Sequence, residues 1–336
     1  MNIIALGKDA RHVCVRYRMA PLQAEMRQQG HWFSIQGMPR TPWGRLSLYR
    51  EIRHAQMVLV QRRLLSTWEV ALLRKSSRKL IFDFDDACFQ RNSYHKDQKA
   101  SRRLARFRAM VQAADIVVAG NDYLAACAAE HTSADKVHII PTCVDVRKYS
   151  MAQHQRCGAG VRLVWIGSAS TLRGLEEQAA LWNLLGETLP GLELHVICDR
   201  FPRFSSLPVI PIRWNQFEEA KMLAACDIGI AHMPDDDWSR GKCGLKVLQY
   251  QAAGLPVVTT PVGVNRDMVK HGTHGYWATS PHDWMDAIQR LMHAPELRQQ
   301  MGKAGRQQVE NNFSVAQLVN RWRPLFHQLA TSKAVA

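Results

Sequence analysis

The chain has 336 residues, 46% of them hydrophobic and 22% charged, with a formal net charge of +15. That length predicts two domains of ordinary size, each with apolar residues enough for a core. No stretch approaches the ~18 uninterrupted apolar residues of a membrane span. The short apolar start MNIIALGKDARHV lacks the length and leading charge of a signal peptide, and the eight cysteines contain no C-x-x-C pair.

Apolar runs of strand length recur along the chain with helical patterns between them. In the first half they are Asn2 to Leu6, His31 to Ile35, Met57 to Val60, Lys79 to Phe84, Asp115 to Ala119 and Val137 to Ile140. The segments between are long enough for crossover helices, which predicts a parallel sheet covered on both faces. A polar stretch, 151–160, reads as a linker. The pattern then restarts with Val161 to Ile166, Glu193 to Ile197, Leu207 to Ile212, Asp227 to Ala231, Pro256 to Thr260 and Tyr276 to Ala278. The predicted fold is therefore α/β, two doubly wound, Rossmann-like domains over 1–150 and 161–313. A final helix over 314–330, entered through Ser314, is expected to pack back on the first domain. Strand C-termini of two such sheets are expected to face a shared cleft.

Charge is unevenly divided. Residues 1–150 hold 25 lysines and arginines against 13 acids, and the remainder 19 against 16. A basic half suits nucleic acid, an anionic membrane or an anionic substrate. The loop after the first strand is basic (Lys8, Arg11, Arg16, Arg18), and Arg16 and Arg18 are candidates for the acceptor side. The segment Arg40 to Arg53 mixes arginines with Trp43 and Tyr49. Lys99 to Val111 places Arg102, Arg103, Arg106 and Arg108 beside Leu104, Phe107 and Met110 at helical spacing. That is a basic amphipathic helix suited to an anionic membrane surface, or equally a core helix with a solvated basic face. In DFDDACF, Asp85 and Asp86 follow an apolar strand. Asp85 is placed to accept a proton from an acceptor hydroxyl and Asp86 to hold the acceptor, with a helix cap and a D-x-D metal site as competing readings.

The second half carries the most informative stretch, GKCGLKVLQYQAAGLPVVTTPVGVN, from Gly241 to Asn265. Gly241 and Gly244 open a helix from Leu245 that Gly254 stops. Such a helix points unbonded N–H groups and its positive dipole end forward, as diphosphate sites do. Lys246 lies in the first turn, where a cation disfavours the helix unless an anion is near; Gln249 shares its face. The simpler reading turns Lys246 to solvent. The loop VWIGSASTLRG ends a strand at Gly167, offers Ser168, and is expected to start a helix near Arg173, whose guanidinium suits phosphate oxygens. Arg213 and Trp214 would flank a planar base, or Trp214 would simply pack. Arg240 and Lys242 add charge near the diphosphate, and Asp235 to Asp237 read as a solvated turn before a metal site.

These residues resemble retaining family-4 glycosyltransferases (glycosyl transferases group 1) of the GT-B fold, most closely over Val161 to Ser314. The family's G-R-L, three residues, K-G pattern appears as Gly167-Ser168-Ala169, three residues, Arg173-Gly174. LQYQAAGLPVV matches its L-E-A-M-A-x-G-x-P-V-V helix, and IIPTCVD its I-P-N-G-V-D. The chain departs from it at the E-x7-E signature, where the first acid falls on Gly241 and the second on Gln249. Gln249 hydrogen-bonds hydroxyls more weakly than a carboxylate, and Gly241 offers backbone alone.

The resemblance implies transfer of a sugar from a nucleoside diphosphate sugar to a hydroxyl acceptor with retention of configuration, and no metal or other cofactor. The implied catalytic set is Arg173, Lys246 and Asp85. The donor set is Gly167, Ser168, Arg213, Trp214, Gly241, Lys242, Gly244, Leu245 and Gln249. The expected partners are a nucleotide sugar, a lipid-linked glycan or cell-surface polysaccharide acceptor, and an anionic membrane surface, placing the protein in the cytoplasm or on the inner membrane face. The alternatives are a catalytically silent partner subunit and a basic nucleic-acid-binding protein, the latter without a recognisable binding motif. No G-x-G-x-x-G follows the strand at Asn2 or at Val161, which disfavours a dinucleotide enzyme.

Overall fold

A computed structural model describes residues 1–9, 12–39, 41–95, 100–155 and 160–331. Within it the chain divides into two compact units. The first comprises Met1–Cys143, Asp236–Cys243 and the stretch from Val315; the second comprises Val144–Asp235 and Gly244–Ser314. Arg11, Arg40, Lys99 and part of the 151–160 stretch lie outside the described residues.

The first unit is built on six parallel strands: β1 (Asn2–Gly7), β2 (Trp32–Gly37), β3 (Met57–Gln61), β4 (Leu80–Phe84), β5 (Ile116–Ala119) and β6 (Val137–Ile139), in the order β2-β1-β3-β4-β5-β6. The inner strands β3, β4 and β5 are buried at every residue. This is why they read as continuous apolar runs and not as alternations. One face of the sheet carries Phe82, Phe84 and Phe107 with Leu48, Ile52 and Leu73. The other packs Ile3, Met57 and Ile81 against Leu22, Met26 and the last helix, Val315–Thr331, through Trp322 and Phe326.

The second unit repeats the plan with β7 (Val161–Ile166), β8 (Leu192–Cys198), β9 (Val209–Arg213), β10 (Ile228–Ala231), β11 (Val257–Thr259) and β12 (Gly275–Trp277), all parallel, in the order β12-β11-β10-β7-β8-β9. Both sheets are α/β and doubly wound. In each, chain order reverses beside the first strand, between β1 and β3 and between β7 and β10. Ligands of open α/β sheets bind at such reversals, beyond the strand C-termini.

Candidate functional site

In the second unit the reversal point is occupied by the predicted glycine-entered helix, Leu245–Ala252. Gly244 precedes it in the left-handed region at φ 65°, and a Cβ there would lie 2.4 Å from Met268 Sδ, so glycine is needed on both counts. No side chain caps this N-terminus among the described residues. The helix is fixed to the sheet by Tyr250, whose hydroxyl accepts from Ile166 N at 3.0 Å and donates to Ile230 O at 3.2 Å. One phenol therefore ties the helix to both strands of the reversal. Gly229 makes room for it, since a Cβ there would meet the ring at 2.4 Å.

Lys246 extends from the first turn to the end of β7, where its Nζ stands 3.9 Å from the centroid of the Trp165 ring. An aromatic face attracts an ammonium by its quadrupole. Gly167 and Ser168 follow at the end of β7, with Ser168 exposed and its Oγ 2.8 Å from Ser170 Oγ. Leu245 is half-buried. Gln249 is buried, and its amide donates to the Tyr149 hydroxyl at 3.3 Å.

Three placements differ from the sequence expectation. The helix after β7 is Ala169–Glu176, so it starts at the end of the strand and not near Arg173. Ser168, one residue ahead, lets its N–H donate to Thr171 Oγ1 at 3.3 Å, and this local bond starts the helix early. Arg173 thus falls in the last turn, exposed, with its Nε 2.8 Å from Glu177. Trp214 turns its indole N–H to Glu219 at 2.9 Å, while Arg213 is exposed at the end of the edge strand β9. Gly241 and Lys242 belong to the first unit. Gly241 packs on Ala87, and Lys242 Nζ reaches Asp86 Oδ1 at 3.0 Å and stands 3.3 Å from the Trp238 ring centroid.

The first unit's reversal point holds an ion cluster. Arg18 is fully buried in a π-helical turn, Val15–Met19, and pairs with Asp83 Oδ1 at 2.5 Å while donating to Ile140 O at 2.9 Å. It is a structural cation, not an exposed loop arginine, because the turn aims it under the sheet end. Burial pushes the Asp83 carboxyl up, against the pull of Arg18. Arg16, half-buried, lies over the Tyr17 ring. Asp86 accepts from Arg62 and Lys242 and from its neighbour Ala87 N at 3.1 Å. Asp85, beside it, accepts from Gln61 at 3.3 Å with Arg62 at 3.8 Å. Burial pushes the thiols of Cys14 and Cys88 up to about 12, so both stay protonated at neutral pH.

Arg62, Trp165 and Tyr250 were not singled out from the sequence. Arg62 follows a buried strand and adopts φ 54°, a conformation unfavourable for a residue with a Cβ. No local pattern announces that. Trp165 sat inside the apolar run Val161 to Ile166, and Tyr250 inside the glycine-entered helix between Gln249 and Gln251.

The two doubly wound parallel sheets are those of the GT-B fold. Sucrose-phosphate synthase from Thermosynechococcus elongatus has the same architecture, with a TM-score of 0.75 at 17% identity over 99% of this chain and 100% of that one. Anabaena HepE in complex with UDP and glucose matches with a TM-score of 0.67 at 12% identity, over 98% and 100%. Within that fold, residues 215–308 match the family model described as Glycosyl transferases group 1. Seventy-one residues are 38% identical to the D-inositol 3-phosphate glycosyltransferase of Pseudarthrobacter chlorophenolicus, 20% of this chain and 17% of that one. The chain spans under a fifth of the length of the curated relatives it matches.

Proposed function

We propose that the protein is a glycosyltransferase moving a sugar from a nucleoside diphosphate sugar to a hydroxyl acceptor. The observation that carries this is Lys246 over Trp165 at the reversal between β7 and β10, in front of a glycine-entered helix. Leaving-group departure places charge on the diphosphate. A fixed ammonium and aligned N–H groups stabilise that charge without reorganising. The family domain over 215–308 and the UDP held by HepE support the same reading and make UDP the first nucleotide to test. Gly167 and Ser168 border the donor. Gln249, engaged by Tyr149, acts on the donor side through its position in the helix.

We assign the acceptor to the first unit, with Asp85 receiving the hydroxyl proton. Asp86 is closely bonded to both Arg62 and Lys242, whereas Asp85 accepts from Gln61 at 3.3 Å with Arg62 farther off at 3.8 Å. The reading carries retention of configuration, with the acceptor attacking on the leaving-group face, and a glycan or glycolipid acceptor. The experiment is titration of the full chain with UDP, GDP, ADP and their sugar conjugates, followed by calorimetry and product analysis by NMR. Binding of one nucleotide that Lys246→Ala loses, and an anomeric proton of unchanged configuration, are expected. Absence of binding to all of them would sink the donor assignment.

A further inference from the structure

The outer helices of the first unit carry a surface that the proposed chemistry does not use. Helices Pro42–His54 and Thr67–Ser76 lie side by side, linked by the ion pair of Arg45 with Glu69. Each turns apolar residues to the sheet: Leu48, Tyr49 and Ile52 from one, Val70 and Leu73 from the other. Their outward stripes repeat one order. Trp43, Leu46 and Arg50 follow at helical spacing on the first, and Trp68, Leu72 and Lys75 on the second. Trp43 is 81% and Trp68 64% exposed, with Leu46 at 44% and Leu72 at 37%. Glu69 is held by Arg45; Glu51 is exposed and accepts from Gln36, and neither belongs to the two named stripes.

The neighbouring helix, Ser101–Ala113, shows which basic segment can anchor. Its Phe107, Met110 and Val111 are buried in the core, so it presents charge without an apolar face. Arg102 and Arg108 are exposed there, on a helix that packs beside Thr67–Ser76.

We propose that this layer docks on an anionic bilayer surface, with Trp43 and Trp68 in the headgroup region and the cations on lipid phosphates. Tryptophan prefers that boundary because its ring is apolar and its N–H polar. Nearby cations add attraction to an anionic leaflet. A nucleic acid would use the arginines and leave Leu46 and Leu72 without a partner, whereas a lipid boundary takes both kinds of group. The proposal does not rest on the glycosyltransferase reading.

The test is co-sedimentation of the full chain with vesicles of phosphatidylcholine alone and with added phosphatidylglycerol. Three proteins are compared: wild type, the pair Trp43→Ser with Trp68→Ser, and the pair Arg50→Gln with Lys75→Gln. All four side chains are exposed, and circular dichroism melting checks that the fold is kept. Wild type is expected to bind only the anionic vesicles. The charge pair should lose about fivefold in partition for each cation removed. The tryptophan pair should lose about tenfold, a loss that persists in high salt. Absence of binding, or wild-type binding by the tryptophan pair, overturns the proposal. A dimer in sedimentation velocity that the tryptophan pair abolishes would assign the face to a second copy and overturn it too.

Discussion

The two sheets reverse their chain order at equivalent places, yet they fill those places differently. At the ends of β1, β3 and β4 the first unit sets charge against charge: Arg18 on Asp83, and Arg62 with Lys242 on Asp86. Beyond β7 and β10 the second unit sets a cation on an aromatic face beside a helix start that no side chain caps among the described residues. Under the proposed function the first place would receive the hydroxyl acceptor and the second the diphosphate, whose charge a nearby cation and a helix N-terminus favour.

The largest effect that would sharpen this contrast is on stability. Arg18→Met strands a buried carboxylate and is expected to cost about 3–5 kcal/mol in urea unfolding, whereas the pair Arg18→Met with Asp83→Leu recovers most of it. Recovery marks this pair as structural and separates it from Asp85. Lys246→Ala is expected to act on chemistry. Turnover should fall by about two to three powers of ten while the ligand-free unfolding midpoint barely moves, because the lysine is half-buried at the surface. A large fall in the midpoint would mean the lysine is there for packing, and the contrast between the two ends would collapse.

Gly244→Ala tests the helix entrance. Its φ of 65° and the approach to Met268 predict a loss of about 1–3 kcal/mol together with weaker nucleotide binding by calorimetry. Arg62→Gly removes backbone strain of order 1 kcal/mol while deleting one of the two cationic partners of Asp86. Stability should change little, and acceptor KM should rise with donor KM unchanged. Equal changes in both would break the assignment of separate ends.

The smallest expected effect is on pH. Burial pulls His232 below the ordinary value of 6.5, so the folded chain holds it neutral while the unfolded chain binds a proton. Its contribution to stability is present above about pH 6.5 and declines as pH falls below that. Denaturant midpoints measured down that range should drop less steeply in His232→Phe.

Much of the fold was legible because it follows from strand burial. All twelve strands appear as apolar runs with ends within about two residues, since a parallel strand covered on both faces leaves no room for polar residues. The edge strands β2 and β9 moved most, to Trp32–Gly37 and Val209–Arg213, because few or none of their residues are buried and the pattern blurs. The glycine-entered helix was legible for a different reason: Gly244 and Gly254 both adopt positive φ. The start of the helix at Ala169 was not, because a bond between Ser168 and Thr171 competed with the expected glycine boundary.

The sequence by itself determined two parallel α/β units, a glycine-entered helix with Lys246 in its first turn, and a basic first half, because burial period, glycine conformation and charge are local properties. Only the tertiary structure decided where the charges are spent. Arg18 and Asp83 lie 65 positions apart, and Lys242 and Asp86 lie 156 apart. Nothing local distinguishes an arginine neutralised in the core from one left at the surface. The same holds for the tryptophans: Trp182 is buried and Trp43 is exposed. Which way each points is set by the sheet its helix packs against, and that sheet forms from strands far apart in the chain.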